Sequence, residues 1–313
     1  MNGEQQAEST VVSDLLAMPR DLRPGDHVAV VAPSGPVIED RLSRGVEVLR
    51  AWGLQVEVMP HVLDTSSHRL FAGTDEDRAR DIEDAWCRRD AAAVLCARGG
   101  YGASRCIDLM DWNRMQSMGP RWLVGSSDIT ALHEAVNGRL GLVSVYGPMV
   151  ASEIFAGADP HMPSIDALHA LLFGGYSGLC LTAAPKLEIV SGRAEGRLVG
   201  GNLALIASGI GTAFSRSAEG SIVFLEDVGE QPYRVDRMLT QLLRSGWFNG
   251  VQGVAVGTFY ECGDVEAILR ERLVELKVPV VAGFLVGHGP VQHSLLLGAR
   301  VVLDSDEGTL RAT

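Results

Sequence analysis

"RWLVGSSDITALHEAV", residues 121–136, passes from an apolar run through a turn into a helical pattern. The run stops at Gly125; Ser126, Ser127 and Asp128 follow, and apolar residues then recur at helical spacing. A Ser or Asp at such a boundary ordinarily accepts a hydrogen bond from a free N–H of the first helical turn. The same strand-turn-helix unit recurs upstream. "HVAVVAP" (27–33) precedes the helix "EDRLSRGVEVLRAWG" (39–53), with Gly53 as its stop. "LQVEVMP" (54–60) precedes "TDEDRARDIEDAWCRR" (74–89), which has a Thr/Asp cap and an acidic first turn. "AAVLCAR" (92–98) runs into Gly99-Gly100-Tyr101-Gly102 and another helix, and "LVSVYGP" (142–148) supplies a fifth strand.

Continuous apolar strands alternating with helices predict an α/β fold whose parallel sheet is covered on both faces. The expected N-terminal domain, residues 20–173, is therefore Rossmann- or flavodoxin-like. In such sheets ligand groups gather at the carboxyl ends of the strands. Pro33-Ser34-Gly35, Arg98-Gly99-Gly100 and Gly125-Ser126-Ser127 all fall on that edge. After "HMPSIDALHALLFGG" (161–175) the pattern changes to a Gly-, Ser- and Pro-rich stretch, which predicts a linker over 174–190. A smaller, strand-rich mixed α/β domain is expected over 191–313. Its strands are expected near 188–191, 221–226, 252–258 and 294–303. Helices are expected after Asn202 and over 232–245 and 264–276. Residues 1–19 are polar and are expected to form a flexible extension.

The chain has 313 residues, 46% of them hydrophobic and 21% charged, enough to build a sizeable core. A net charge of −12 argues against a nucleic-acid partner, which would require clustered Lys and Arg. The five cysteines are widely spaced, with no CxxC, which points to reduced thiols in the cytoplasm. The start of the chain lacks the pattern of a secretory signal, and no apolar stretch is long enough to span a membrane.

Four features carry potential chemistry. "ARGGYGASR" (97–105) resembles a phosphate-binding turn, but the spacing from Gly100 and Gly102 puts Arg105 where G-x-G-x-x-G needs its third glycine. Its N–H groups would serve an oxyanion equally well. A plain tight turn is the bland alternative. "HEAVN" (133–137) begins like H-E-x-x-H but ends in Asn137, and His288 and His293 have no adjacent acidic residue or Cys. No metal site is expected. "SIVFLEDVGE" (221–230) ends a strand with Glu226-Asp227. Strand alternation puts Glu226 on the face of Ile222 and Phe224, and Asp227 on that of Val223 and Leu225. Such a pair is ordinarily solvated. His288, between Gly287 and Gly289, is a loop histidine open to acting as a base or to doing nothing. Serine, acid and histidine follow the order of α/β-hydrolases, but G-x-S-x-G is not met.

Taken together, "VAPSGPV" (31–37), "ARGGYGASR" (97–105), "GSSDIT" (125–130), "GNL" (201–203), "LEDVGEQPYRVDRML" (225–239) and "GHGP" (287–290) resemble the LD-carboxypeptidase family. That family includes the murein tetrapeptide carboxypeptidases and the microcin C immunity peptidases. The resemblance spans roughly residues 22–305. It implies a cofactor-free serine peptidase, usually a homodimer, that cleaves the amide between an L-centre and a C-terminal D-amino acid. Murein tetrapeptide in peptidoglycan recycling is the usual substrate; a microcin C-type peptidyl-nucleotide is the alternative. By motif, the resemblance implies Ser127 as nucleophile, Glu226 as acid, His288 as base, and the N–H groups of Asp128 and Gly100 as oxyanion donors. Gly99, Tyr101, Asn202 and Arg234 are further candidates for binding substrate, although Arg234 and Arg237 also read as a solvated helix face. Two positions depart from the family pattern. Ser126 stands where an aromatic residue usually precedes the nucleophile, and Tyr146 stands where relatives often carry His. A nucleotide- or sugar-binding module using the Gly99–Gly102 turn without chemistry is the rival from another class.

Overall fold

The computed structural model describes residues 16–313. The first sheet takes five strands in sequence: β1 (His27–Val31), β2 (Gln55–Val58), β3 (Ala91–Cys96), β4 (Trp122–Gly125) and β5 (Ser144–Tyr146). The second sheet takes β6 (Cys180–Thr182), β7 (Leu187–Val190), β8 (Arg193–Asn202), β9 (Ser221–Val228), β10 (Gly253–Tyr260) and β11 (Val280–Ala282). After β11 the chain returns to the first sheet as β12 (Leu295–Leu297). It then re-enters the second as β13 (Arg300–Asp304) and β14 (Thr309–Ala312).

The orders are β12-β5-β4-β3-β1-β2 and β6-β14-β13-β8-β9-β10-β11-β7. β1 to β5 are mutually parallel, as the strand-helix alternation predicts, and β12 closes that sheet antiparallel to β5. β3 shows why periodicity sees these strands: every residue of "AAAVLC" is buried, so both faces must be apolar. The flanking helix Asp75–Cys87 starts where predicted, with the Thr74 hydroxyl accepting from the Asp77 N–H at 3.1 Å.

Two expectations need correction. The stretch 174–190 is not simply a linker, because β6 and β7 lie within it and form the two edges of the second sheet. Short edge strands carry little apolar signal, which is why a Gly- and Pro-rich composition hides them. The single strand expected over 294–303 is two strands in two different sheets, split at Gly298. Of the expected extension over 1–19, residues 1–15 lie outside the described residues. Ala17 is paired with the main chain at Gly141 and Val143.

Three apolar clusters form the core. One surrounds the first sheet, and one lies between the second sheet and its helices. The third is a seam that joins Tyr146 of β5 and Leu295 of β12 to Ile222 and Phe224 of β9. The seam sets the carboxyl ends of β4 and β5 against the carboxyl end of β9. No helix among the described residues is long and apolar enough to cross a membrane.

Candidate active site

Ser127 follows β4 at a sharp turn. Ser126 is extended, and Ser127 has φ +61°, a left-handed conformation rare for any residue with a side chain. Strain of this kind costs on the order of 1–3 kcal/mol and persists only where neighbours enforce it. Here the enforcement is visible on each side. The Ser127 N–H donates to the Tyr146 hydroxyl at 2.9 Å, and the Ser127 carbonyl accepts from Thr130 Oγ1 at 2.7 Å. Thr130 Oγ1 also accepts from the Asn202 N–H at 3.0 Å, so the second sheet grips the same turn. The buried Asp128 carboxylate accepts from the Ser34 hydroxyl at 2.6 Å and the Ala103 N–H at 2.8 Å. This side chain binds the three loops at the carboxyl edge of the first sheet together.

Gly99 approaches this turn so closely that a Cβ on it would lie 3.0 Å from Ser127 Cβ and 3.5 Å from the Asp128 nitrogen. The glycine of "RGGYG" is therefore a matter of space. Gly99 and Gly100 share with Ser127 and His288 an alcove of about 240 Å³ that also meets Arg41 and Arg98.

The acid pair is buried, not solvated: Glu226 is 0% and Asp227 2% exposed. The alternation expected for β9 holds. Ile222 and Phe224 face the seam, whereas Val223 and Leu225 face the helices of the second sheet. Glu226 thus points between the sheets and Asp227 away. Every hydrogen-bond partner of Glu226 is a donor. Oε1 accepts from the Tyr146 hydroxyl at 2.7 Å and Asn202 Nδ2 at 3.2 Å; Oε2 accepts from the His288 N–H at 3.0 Å and meets His288 Nδ1 at 2.7 Å. With the carboxylate as acceptor, Nδ1 carries the ring proton and Nε2 is left with its lone pair.

Burial opposes charge on His288. The Glu226 carboxylate, helped by Asp227, outweighs it and holds the imidazole pKa above the ordinary histidine value. Gly287 makes the loop possible, because a Cβ there would collide with Glu226 Oε2 and lie 2.7 Å from Thr258 Oγ1. Thr258 Oγ1 fixes the next residue by donating to the His288 carbonyl at 2.6 Å. Burial pushes Asp227 up to about 6. It accepts from Asn202 Nδ2 at 3.0 Å and from the Ala204 N–H at 3.0 Å, at the start of helix Leu203–Gly209.

The structure brings Ser127, Asp128, Glu226, His288, Gly99, Gly100 and Asn202 into one region. It does not bring Tyr101 or Arg234 there. Tyr101 is exposed and packs on Phe71 at 5.5 Å between ring centres. Arg234, on helix Pro232–Arg244, pairs with Glu230 and the Tyr233 hydroxyl at the surface. Ser126 is 4% exposed and lines a second, larger cleft of about 880 Å³, which meets the alcove along Met149, Ser152, Glu153 and His288. His133 is a core histidine, held by Ser144 Oγ at 2.8 Å and the Gly125 carbonyl at 3.0 Å; burial lowers its pKa to about 4. Among the described residues no group of three His, Cys, Asp or Glu is arranged to hold a metal. In the sequence Tyr146 stands out only as a departure, Ser34 and Arg98 fall on the carboxyl edge without a role, and Thr130 carries no signal. The available signal was position: all except Thr130 lie at the carboxyl edge of a first-sheet strand.

Residues 28–147 match the LD-carboxypeptidase N-terminal domain, and residues 195–303 match the LD-carboxypeptidase C-terminal domain. A Streptomyces coelicolor protein that bears a provisional carboxypeptidase name is 49% identical, over 94% of this chain and 96% of its own. The murein tetrapeptide carboxypeptidase of Pseudomonas aeruginosa is 33% identical, over 90% of this chain and 94% of its own. The ligand-free structure of the microcin C7 self-immunity protein superposes with a TM-score of 0.85 at 24% identity. The match covers 96% of this chain and 98% of that one, a likeness of fold. Two matched domains in order, and relatives aligned almost end to end, show that this chain belongs to the LD-carboxypeptidase family.

Proposed function

We propose that this protein is a serine carboxypeptidase that removes a C-terminal D-amino acid from an L-centre, with murein tetrapeptide as its substrate. The observation that carries this reading is the strained Ser127 turn sharing one alcove with His288, whose Nδ1 is held by buried Glu226. The murein tetrapeptide activity named for the Pseudomonas aeruginosa relative supports the substrate.

Serine is a weak nucleophile until a base takes its proton. In this reading His288 Nε2 accepts the Ser127 hydroxyl proton as Oγ bonds to the scissile carbonyl carbon. Glu226 orients the ring and stabilises the imidazolium. The N–H groups of Asp128 and Gly100 receive the oxyanion, each such donor being worth roughly 3–4 kcal/mol in other enzymes. The C–N bond then breaks, and His288 returns the proton to the departing amine. Water, deprotonated by the same ring, attacks the acyl-enzyme and releases the shortened peptide with a new carboxylate. Five free cysteines support a cytoplasmic setting, and the family resemblance supports a homodimer.

The test is mass-spectrometric analysis of murein tetrapeptide incubated with wild-type and Ser127→Ala protein, beside a microcin C-type peptidyl-nucleotide. Release of D-alanine by wild type and not by the variant is expected. Cleavage of the peptidyl-nucleotide alone would replace the substrate assignment, and cleavage of neither would favour a binding module.

A further inference from the structure

Arg98 is a half-buried cation beside Ser127. Burial first, and Arg41 second, push its pKa down. Among the described residues its hydrogen-bond partners are two carbonyls: Nε donates to Gly99 at 3.2 Å and Nη1 to Pro36 at 2.9 Å. Those two bonds use two of the five N–H donors of a guanidinium. Nη2 lies 3.6 Å from where a Cβ on Gly100 would stand, on the turn that lines the alcove. Arg41 lines the same alcove and is ion-paired with Glu153. A half-buried guanidinium whose hydrogen-bond partners among the described residues are carbonyls alone lacks a paired anion, and buried charges are ordinarily paired.

We infer that Arg98, assisted by Arg41, is the subsite for the α-carboxylate of the departing D-residue. This rests on the carboxypeptidase reading above. The free Nη donors suit a planar carboxylate, which arginine binds through parallel N–H bonds. The alcove is the smaller of two connected spaces, and Ile38, Met149 and Ala151 supply apolar walls fit for a short side chain. The larger cleft, beyond the shared wall at Glu153 and His288, takes the acyl side. A carboxylate on Arg98 sets the scissile amide over Ser127 with its nitrogen toward His288. The pairing makes the enzyme an exopeptidase: a chain that continues past this residue has no carboxylate to offer.

The test measures binding of murein tetrapeptide, and of the same peptide with a C-terminal carboxamide, by calorimetry. Ser127→Ala protein is compared with Ser127→Ala/Arg98→Met. Ser127→Ala should bind the acid at least about 30-fold more tightly than the amide, the range expected for a desolvated charge pair. The added Arg98→Met should erase that preference by weakening the acid alone. Arg41→Met in the same background, a change at a partly exposed residue, should reduce the preference without abolishing it. Arg98→Lys keeps the charge without the fork and should restore it in part, which separates recognition from loop support. Equal affinity for acid and amide in Ser127→Ala, binding of neither, or an equal loss of both on Arg98→Met would overturn the assignment. Wild-type turnover of the tetrapeptide, run in parallel, reports separately on the carboxypeptidase reading.

Discussion

The Tyr146 hydroxyl donates to Glu226 Oε1 at 2.7 Å across the seam between the two sheets. The same oxygen accepts from the Ser127 N–H, so one buried phenol ties the strained serine turn to the carboxylate that holds His288. Tyr146 touches no substrate in this account; it positions two residues that do. Tyr146→Phe keeps the ring in the seam and removes both bonds. It should lower kcat by about 10–100-fold, the usual effect of losing a supporting hydrogen bond, with KM little changed. Tyr146→His, which keeps a ring nitrogen able to hydrogen-bond, should recover part of the loss. Steady-state kinetics separate kcat from KM, and a wild-type kcat for Tyr146→Phe would leave the phenol with a packing role only.

The pH profile should carry the signature of the His288–Glu226 pair. A base works when neutral, and Glu226 raises the pKa of His288. The acid limb of kcat/KM should therefore have its midpoint above the ordinary histidine value of 6.5, with activity lost as pH falls through it. Glu226→Gln removes the larger raising influence and leaves burial opposed by Asp227 alone. The limb should shift to lower pH than in wild type, and kcat should drop by about 10³–10⁴-fold. A limb at the same pH in both proteins would uncouple the two residues.

Gly287→Ala should damage the site through the acid. Its φ of +112° disfavours any side chain, and the new methyl would strike Glu226 Oε2. A loss of about 1–3 kcal/mol of stability is expected from the backbone alone. The surviving folded protein should show a depressed kcat at unchanged KM. Denaturant titration beside kinetics distinguishes this from simple unfolding.

Glu134 makes a stability prediction away from the chemistry. It follows His133 on helix Thr130–Ala135, and among the described residues its Oε2 has no hydrogen-bond partner. Burial pushes its pKa up to about 8 from 4.5. The folded state keeps this proton while the unfolded state has lost it, so stability falls as pH rises from 4.5 to about 8 and levels beyond. Glu134→Gln is neutral throughout. Its Tm should exceed wild type more at pH 9 than at pH 5, by the equivalent of about 1–3 kcal/mol. An offset that does not vary with pH would contradict the assignment.

Much of this architecture is legible in the chain because local patterns carry it. Strands buried on both faces read as unbroken apolar runs, and the Thr74 cap announces its helix. The three residues proposed for catalysis come from the family resemblance, carried by motifs that set a glycine or a turn beside each; read singly, each leaves a bland alternative open. What the chain conceals is long-range. Nothing near Leu295–Leu297 signals that those residues return to the first sheet, because pairing partners leave no local trace. Glu226 and Asp227 look like a solvated strand end until the seam closes over them. Tyr146 reads only as a departure from the family pattern, and its role exists only once β5 faces β9. Tyr101 and Arg234 stand apart from the alcove for the converse reason: they lie near motifs in sequence, but their turn and helix direct them to the surface.

Ser127, and not its neighbour Ser126, is the proposed nucleophile. The most direct measurement is labelling with a fluorophosphonate, followed by peptide mass mapping of the adduct. One adduct is expected, on Ser127, abolished by Ser127→Ala, retained by Ser126→Ala and strongly slowed by Glu226→Gln. An adduct on Ser126, or no adduct on a protein that still releases D-alanine from the tetrapeptide, would contradict it.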